Sequence, residues 1–129
     1  MAKVFKESTS LKEVFNDVKI FHEAINHPVA ITPTMLTQER KDNRVKWMQE
    51  ELNEYISSEN LTSESDALID LIYFAIGTFV EMGIEPSFIW YAVQNANMKK
   101  LFPDGKPHYN ENNKVIKPEG WKSPEDAIE

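Results

Sequence analysis

From Glu50 to Glu85 the chain carries nine acidic residues and no lysine or arginine. Five of the nine fall in two clusters with helical spacing. Glu50 and Glu54 are four apart, Glu51 and Glu54 three apart, and Asp66 and Asp70 four apart. Residues three or four apart share one helix face, where like charges repel. The second cluster also runs into a very apolar segment, Ala67 to Val80, where an unpaired carboxylate is costly. The nearest basic residues in sequence are Lys46 before the stretch and Lys99 after it. Either tertiary contacts bring a cation from elsewhere or a divalent metal sits between the clusters. The metal is the simpler partner, and an all-oxygen site suits Mg²⁺ or Mn²⁺.

The rest of the chain reads as helices around that stretch. Ser10 followed by Glu13 is a capping-box pattern, and Leu11, Val14, Phe15, Val18, Phe21 and Ile25 then recur at helical spacing. Asn26-His27-Pro28 stops this first helix. A second helix is expected from Thr34 or Thr37 to about Ser57, with sparse apolar positions and with Arg40 and Arg44 on one face upstream of Glu51. A third starts near Thr62-Ser63, capped by Ser63, and is apolar on nearly all sides from Ala67 to Met82, so it is expected to be central and buried. Gly83 closes it. Glu85-Pro86 opens a fourth helix that runs to about Leu101.

The last quarter changes character. Turns at Pro103-Asp104-Gly105-Lys106 and at Asn112-Asn113 flank two short stretches, Lys106 to Tyr109 and Lys114 to Lys117, that can pair as a small hairpin. Lys99, Lys100, Lys106, Lys114, Lys117 and Lys122 face only Asp104, Glu111 and Glu119 in this region, which makes it locally basic.

At 129 residues one all-α domain is expected, a bundle of four main helices with a hairpin-like tail, and with residues 1–8 and 123–129 peripheral. The net charge of −7 argues against nucleic-acid binding through bulk positive charge. The absence of cysteine removes disulfides, thiol catalysis and thiolate metal sites. No long apolar run follows the N-terminus and none elsewhere is long enough to span a bilayer, so a cytoplasmic protein without a membrane partner is the expectation. The third helix has more apolar surface than so small a bundle can cover, which favours self-association as a dimer or tetramer.

The acidic pattern, Glu50-Glu51-x-x-Glu54 and then an acidic pair ending at Asp70, resembles the all-α nucleoside triphosphate pyrophosphohydrolases, a superfamily that includes MazG-like enzymes and phosphoribosyl-ATP pyrophosphohydrolase. The resemblance extends in order over roughly residues 15 to 125. It takes in Phe21-His22 with Asn26-His27-Pro28, Asp66-Ala67-Leu68-x-Asp70-x-x-Tyr73, Asn95-x-Asn97-Met98-x-Lys100, Asp104-Gly105-Lys106-Pro107, and Lys117-Pro118 through Trp121 and Pro124. These look like the phosphoribosyl-ATP-pyrophosphohydrolase-like branch. One departure matters: the superfamily's second motif has Glu three before the Asp, whereas here position 67 is Ala and the acidic partner is Asp66. The resemblance implies Mg²⁺-dependent hydrolysis of a nucleoside triphosphate between its α- and β-phosphates. It implies metal ligation by Glu51, Glu54 and Asp70, with Asp66 as a fourth ligand. Glu50 would be a further ligand or the base acting on water, and Glu51 shares the catalytic assignment. Asn97, Lys100 and Lys106 would contact phosphate or sugar, with His27 near the nucleotide.

Other readings compete. The acidic clusters could be a solvated helix face. A ferritin-like di-iron site expects Glu-x-x-His, and none of His22, His27 and His108 has an acidic residue three positions before it. His22 and His27 have an ordinary reading as surface or loop-packing residues, and Arg40 and Arg44 as solvated or paired with acids. On function, the alternatives are hydrolysis of phosphoribosyl-ATP, or a non-catalytic helical interaction protein that keeps the acidic cluster.

Overall fold

The computed structural model describes residues 7–128. The peripheral ends expected at 1–8 and 123–129 are therefore described only over 7–8 and 123–128. Five helices follow in order: α1 (Leu11–Ala24), α2 (Gln38–Ser57), α3 (Leu61–Met82), α4 (Ser87–Met98) and the short α5 (Glu125–Ile128). No described helix is long and apolar enough to cross a membrane. The chain divides into two compact units, one running to Pro86 and the other starting at Ser87.

In the first unit α3 packs against both α1 and α2. Its 22 residues span about 33 Å at 1.5 Å per residue. The helix ends are set by local chemistry. The Ser10 hydroxyl accepts the Glu13 N–H at 3.1 Å and starts α1, and Thr37 does the same for Arg40 at 3.2 Å at the start of α2. At the start of α3 the cap is Asn60, whose Oδ1 accepts the Ser63 N–H at 2.9 Å. The expected cap, Ser63, thus lies inside the first turn as a donor, because the shorter path to the orphan N–H belongs to the asparagine. Asn26 stops α1 in the left-handed region at φ 57°. Gly83 closes α3 at φ 69°: its N–H reaches Val80 O, and the Ile84 N–H reaches Phe79 O. A Cβ on Gly83 would also lie 2.5 Å from Thr32 O, so only glycine fits here. The loop between α1 and α2 supplies further caps, with Ala30 N–H on Val80 O (3.1 Å) and Thr34 N–H on Met82 O (2.9 Å).

The apolar core joins Val18 of α1 to Ile76 and Val80 of α3, with Leu11, Val14, Phe15 and Val29 around them. The expectation that α3 is buried on all sides is corrected for the single chain. Ala67, Ile76, Gly77, Val80 and Glu81 face inward, while Leu68, Ile69, Ile72 and Tyr73 are exposed. One helix layer on each of two sides cannot cover an apolar cylinder.

In the second unit α4 packs with α5. The expected hairpin is reduced to one antiparallel bridge, Tyr109 to Val115, closed through Asn113 at φ 60°. Asn110 N–H to Lys114 O (2.9 Å) and Ile116 N–H to His108 O (2.8 Å) hold it. The Trp121 indole donates to Ala96 O at 2.7 Å, which ties the tail to α4.

Candidate metal centre and its flanking ion-pair network

Along α2 the residues Arg40, Arg44, Trp47, Glu51 and Glu54 recur every three or four positions, so they form one stripe. Along α3 the residues Asp70, Phe74, Thr78 and Glu81 do the same. The two stripes face each other antiparallel. Glu51 and Glu54 lie opposite Asp70, Trp47 lies 6.0 Å from Phe74 between ring centroids, and Arg44 and Arg40 lie opposite Thr78 and Glu81. Each turn taken toward the N-terminus of α2 is matched by a turn toward the C-terminus of α3.

At one end of this seam, carboxylate oxygens of Glu51, Glu54 and Asp70 lie within 4.8 Å of one another. Glu51 Oε2 is sealed from solvent and has no hydrogen-bond partner. Burial pushes the Glu51 carboxyl up to about 7, with the neighbouring carboxylates of Glu54, Asp70 and Asp66 adding to it. Asp70 is raised too, first by burial and then by Asp66 and Glu54. Among the described residues no ion pair reaches any of these four acids. A sealed, unpartnered oxygen among converging carboxylates with no cation fits a hard divalent ion.

Asp66 stands outside the three-carboxylate group but close enough to act on Glu51 and Asp70 through its charge. It is exposed, and with Glu54, Ser57, Ser58, Glu59 and Ser63 it lines an open cleft of about 460 Å³. Glu50 is exposed on α2 and is not among the converging carboxylates.

A second group, His22, His27 and Glu81, has ligand atoms equally close, but its chemistry is different. Arg40 Nε and Nη2 donate to Glu81 Oε1 and Oε2 at 2.6 and 2.8 Å, and Arg44 Nη1 donates to Oε2 at 3.1 Å. His22 Nδ1 donates to Pro28 O at 3.0 Å. A cation there would face two guanidinium groups over an acid already neutralised, so the cluster reads as a buried ion-pair network. Of the two ordinary readings for each, the solvated one is corrected for His22 and Arg44, which are 3% and 2% exposed: His22 packs on the loop at Pro28 and Arg44 is paired with an acid, Glu81. His27 stacks on Trp47 at 5.9 Å and 13°, and burial followed by the Arg40 charge lowers its proton affinity.

Asn97, Lys100 and Lys106 belong to the second unit. Asn97 is exposed on α4 and its carbonyl accepts the Lys100 N–H at 3.1 Å. Lys100 Nζ lies 5.5 Å from the Trp121 ring centroid, and Lys117 Nζ 4.6 Å from it. The Lys106 N–H donates to Asp104 Oδ1 at 2.8 Å. Glu81, Thr78 and Gly77 carry no signal in sequence that ties them to Arg40 and Arg44.

Paired acidic helices bringing carboxylates together in an all-α unit define the class of MazG-like nucleotide pyrophosphohydrolases. The chain belongs to the phosphoribosyl-ATP pyrophosphohydrolase family, whose family model matches residues 18–97 and so takes in all of Glu51, Glu54, Asp66 and Asp70. It is therefore a hydrolase of pyrophosphate bonds from a divalent-metal-dependent family. A comparison with curated protein sequences finds no match.

Proposed function

We propose that this chain hydrolyses nucleoside triphosphates between the α- and β-phosphates, with Mg²⁺ or Mn²⁺ held by Glu51, Glu54 and Asp70 and with Asp66 as the fourth acidic ligand. The observation that carries this is the convergence of three carboxylates around a sealed Glu51 Oε2 in a member of this family. A divalent ion held there supplies charge neutralisation for the phosphates and a more acidic water. The protein's own part is positioning. Glu51 and Glu54 come from one helix and Asp70 from another, so the packing of α2 on α3 brings the three acids to one place before any ligand arrives. With its carboxyl raised to about 7, Glu51 would be partly protonated near neutrality without an ion, and a divalent ion held there would favour its carboxylate form. Glu50, exposed one residue before Glu51, is the candidate base for the attacking water. Water oxygen bonds to the α-phosphorus, the bond to the bridging oxygen of the β-phosphate breaks, and the products are the monophosphate, pyrophosphate and a proton.

The family description favours a second substrate, phosphoribosyl-ATP, which carries the same scissile bond. A panel of canonical and modified NTPs and dNTPs together with phosphoribosyl-ATP, assayed for pyrophosphate with Mg²⁺, with Mn²⁺ and with EDTA, separates the two. Release from simple triphosphates supports the first reading, and release from phosphoribosyl-ATP alone supports the second. Release from neither, by folded protein with metal present, leaves a helical binding protein.

We also propose that the chain self-associates through the outer face of α3, where Leu68, Ile69 and Ile72 are exposed together. Light scattering on a sizing column tests this, and a monomer at tens of micromolar contradicts it.

A further inference from the structure

The helix that carries Glu51 and Glu54 is held in an unusual way. Of the residues of α2 only Arg44 is fully buried. Its apolar positions are partly or wholly open: Trp47 and Met48 are half-buried, while Val45, Leu52, Tyr55 and Ile56 are exposed. At the acidic end of the α2–α3 seam the carboxylates of Glu51, Glu54 and Asp70 converge within 4.8 Å, and among the described residues no ion pair reaches them, so like charges make that end repulsive by itself. The register of α2 on α3 therefore depends on the other end.

There Arg44 makes three bonds to three places on α3. Nε donates to Thr78 Oγ1 (3.1 Å), Nη1 to Glu81 Oε2 (3.1 Å) and Nη2 to Phe74 O (2.6 Å). The guanidinium also lies 5.4 Å from the Trp47 ring centroid and 5.6 Å from that of Phe74. Phe74 is one turn beyond Asp70, and Arg44 is two turns before Glu51. Gly77 makes the seat. A Cβ there would overlap Arg44 Nη2 and come within 2.8 Å of His22 Nε2. A rigid fork with partners over two turns of α3 cannot slide by a residue without losing them all.

We propose that Arg44, seated in the Gly77 notch, is a positioning residue for the carboxylate group: it fixes α2 in register with α3 and so sets Glu51 and Glu54 against Asp70. The inference rests on the metal reading of those carboxylates, but its geometric core can be tested without metal. Arg44→Lys keeps the charge beside Glu81 and loses the fork. Thr78→Val, close in shape, removes the Nε acceptor together with the hydroxyl's own bond to Phe74 O (2.9 Å), leaves the Nη1 and Nη2 bonds in place, and serves if Arg44→Lys does not fold. Val80→Ala, a truncation in the α1–α3 core that removes none of the network's hydrogen bonds, is the control for general destabilisation. Because the chain has no cysteine, Lys46→Cys and Ser65→Cys place spin labels on exposed sites of α2 and α3 without interference.

In metal-free protein well below its melting temperature, the label distance should be single and narrow in the parent and in Val80→Ala. It should be shifted or broadened in Arg44→Lys, and less so in Thr78→Val. Mn²⁺ affinity, read by electron paramagnetic resonance, should fall about tenfold or more in Arg44→Lys, about threefold in Thr78→Val and less than twofold in Val80→Ala. Parent-like distances in Arg44→Lys and Thr78→Val overturn the proposal, as does equal broadening in Val80→Ala. A parent that binds no Mn²⁺ overturns the metal reading instead, and the label distances then decide the positioning role alone.

Discussion

Glu51→Gln should stabilise the metal-free protein at alkaline pH while removing its ability to be stabilised by metal. In the fold, Glu51 is pushed from its ordinary 4.5 to about 7, a gap of about 2.5. At about 1.36 kcal/mol per pH unit, ionising Glu51 in the folded state costs at most about 3.4 kcal/mol. The cleft beside it is open and Glu54 is exposed, so solvent screening reduces this to roughly 1–2 kcal/mol. The raised value means that the folded state binds the extra proton between about pH 4.5 and 7. Stability from this group is complete below about pH 4.5 and is lost as pH rises through about 7. Glutamine has the same shape and no charge, so the gain is full at pH 8, clearly smaller at pH 5 and absent only below about pH 4.5. For a chain of 129 residues, about 1–2 kcal/mol corresponds to a melting temperature higher by roughly 3–10 °C. The assay is thermal unfolding by circular dichroism in EDTA at pH 8 and pH 5, repeated with Mg²⁺. Parent protein gains stability with Mg²⁺ by mass action, and the variant gains little. An unchanged or lower melting temperature for the variant at pH 8, or an equal gain at both pH values, would refute the reasoning.

Glu81→Gln leaves buried Arg44 without its counter-charge, so urea unfolding should report a loss of about 3–5 kcal/mol. Asn60→Ala removes the N-cap of α3, and circular dichroism melts should show a loss of about 1 kcal/mol. Trp121→Phe deletes the indole bond to Ala96 O, so limited proteolysis should cut faster between residues 99 and 124, with a stability loss of about 1 kcal/mol.

The helices were legible because their boundaries are local. Ser10, Thr37 and Gly83 act within one turn of themselves, and the apolar spacing of α1 needs no partner to be read. The start of α3 was read differently because Asn60, Thr62 and Ser63 are all competent caps, and only the backbone path decides among them. The carboxylates stood out because no cation lies near them in sequence, and the same two helices do bring Glu51, Glu54 and Asp70 together. The Arg40–Arg44–Glu81 network was not legible. Its partners are 41 and 37 residues apart, and their meeting depends on the antiparallel register of α2 on α3. The inward face of α3 was hidden for a related reason. A helix apolar all round gives no periodicity, and Gly77 marks the close approach only once Arg44 is known to lie against it.

The most direct test of the central claim is ³¹P nuclear magnetic resonance of the products from a nucleoside triphosphate or phosphoribosyl-ATP, with Mg²⁺ and with EDTA, for the parent and for Asp70→Ala. The expected products are pyrophosphate and the matching monophosphate in equal amounts, only with metal and only from the parent, with Asp70→Ala still helical by circular dichroism. Pyrophosphate release that persists in EDTA, or undiminished turnover by Asp70→Ala, would contradict it.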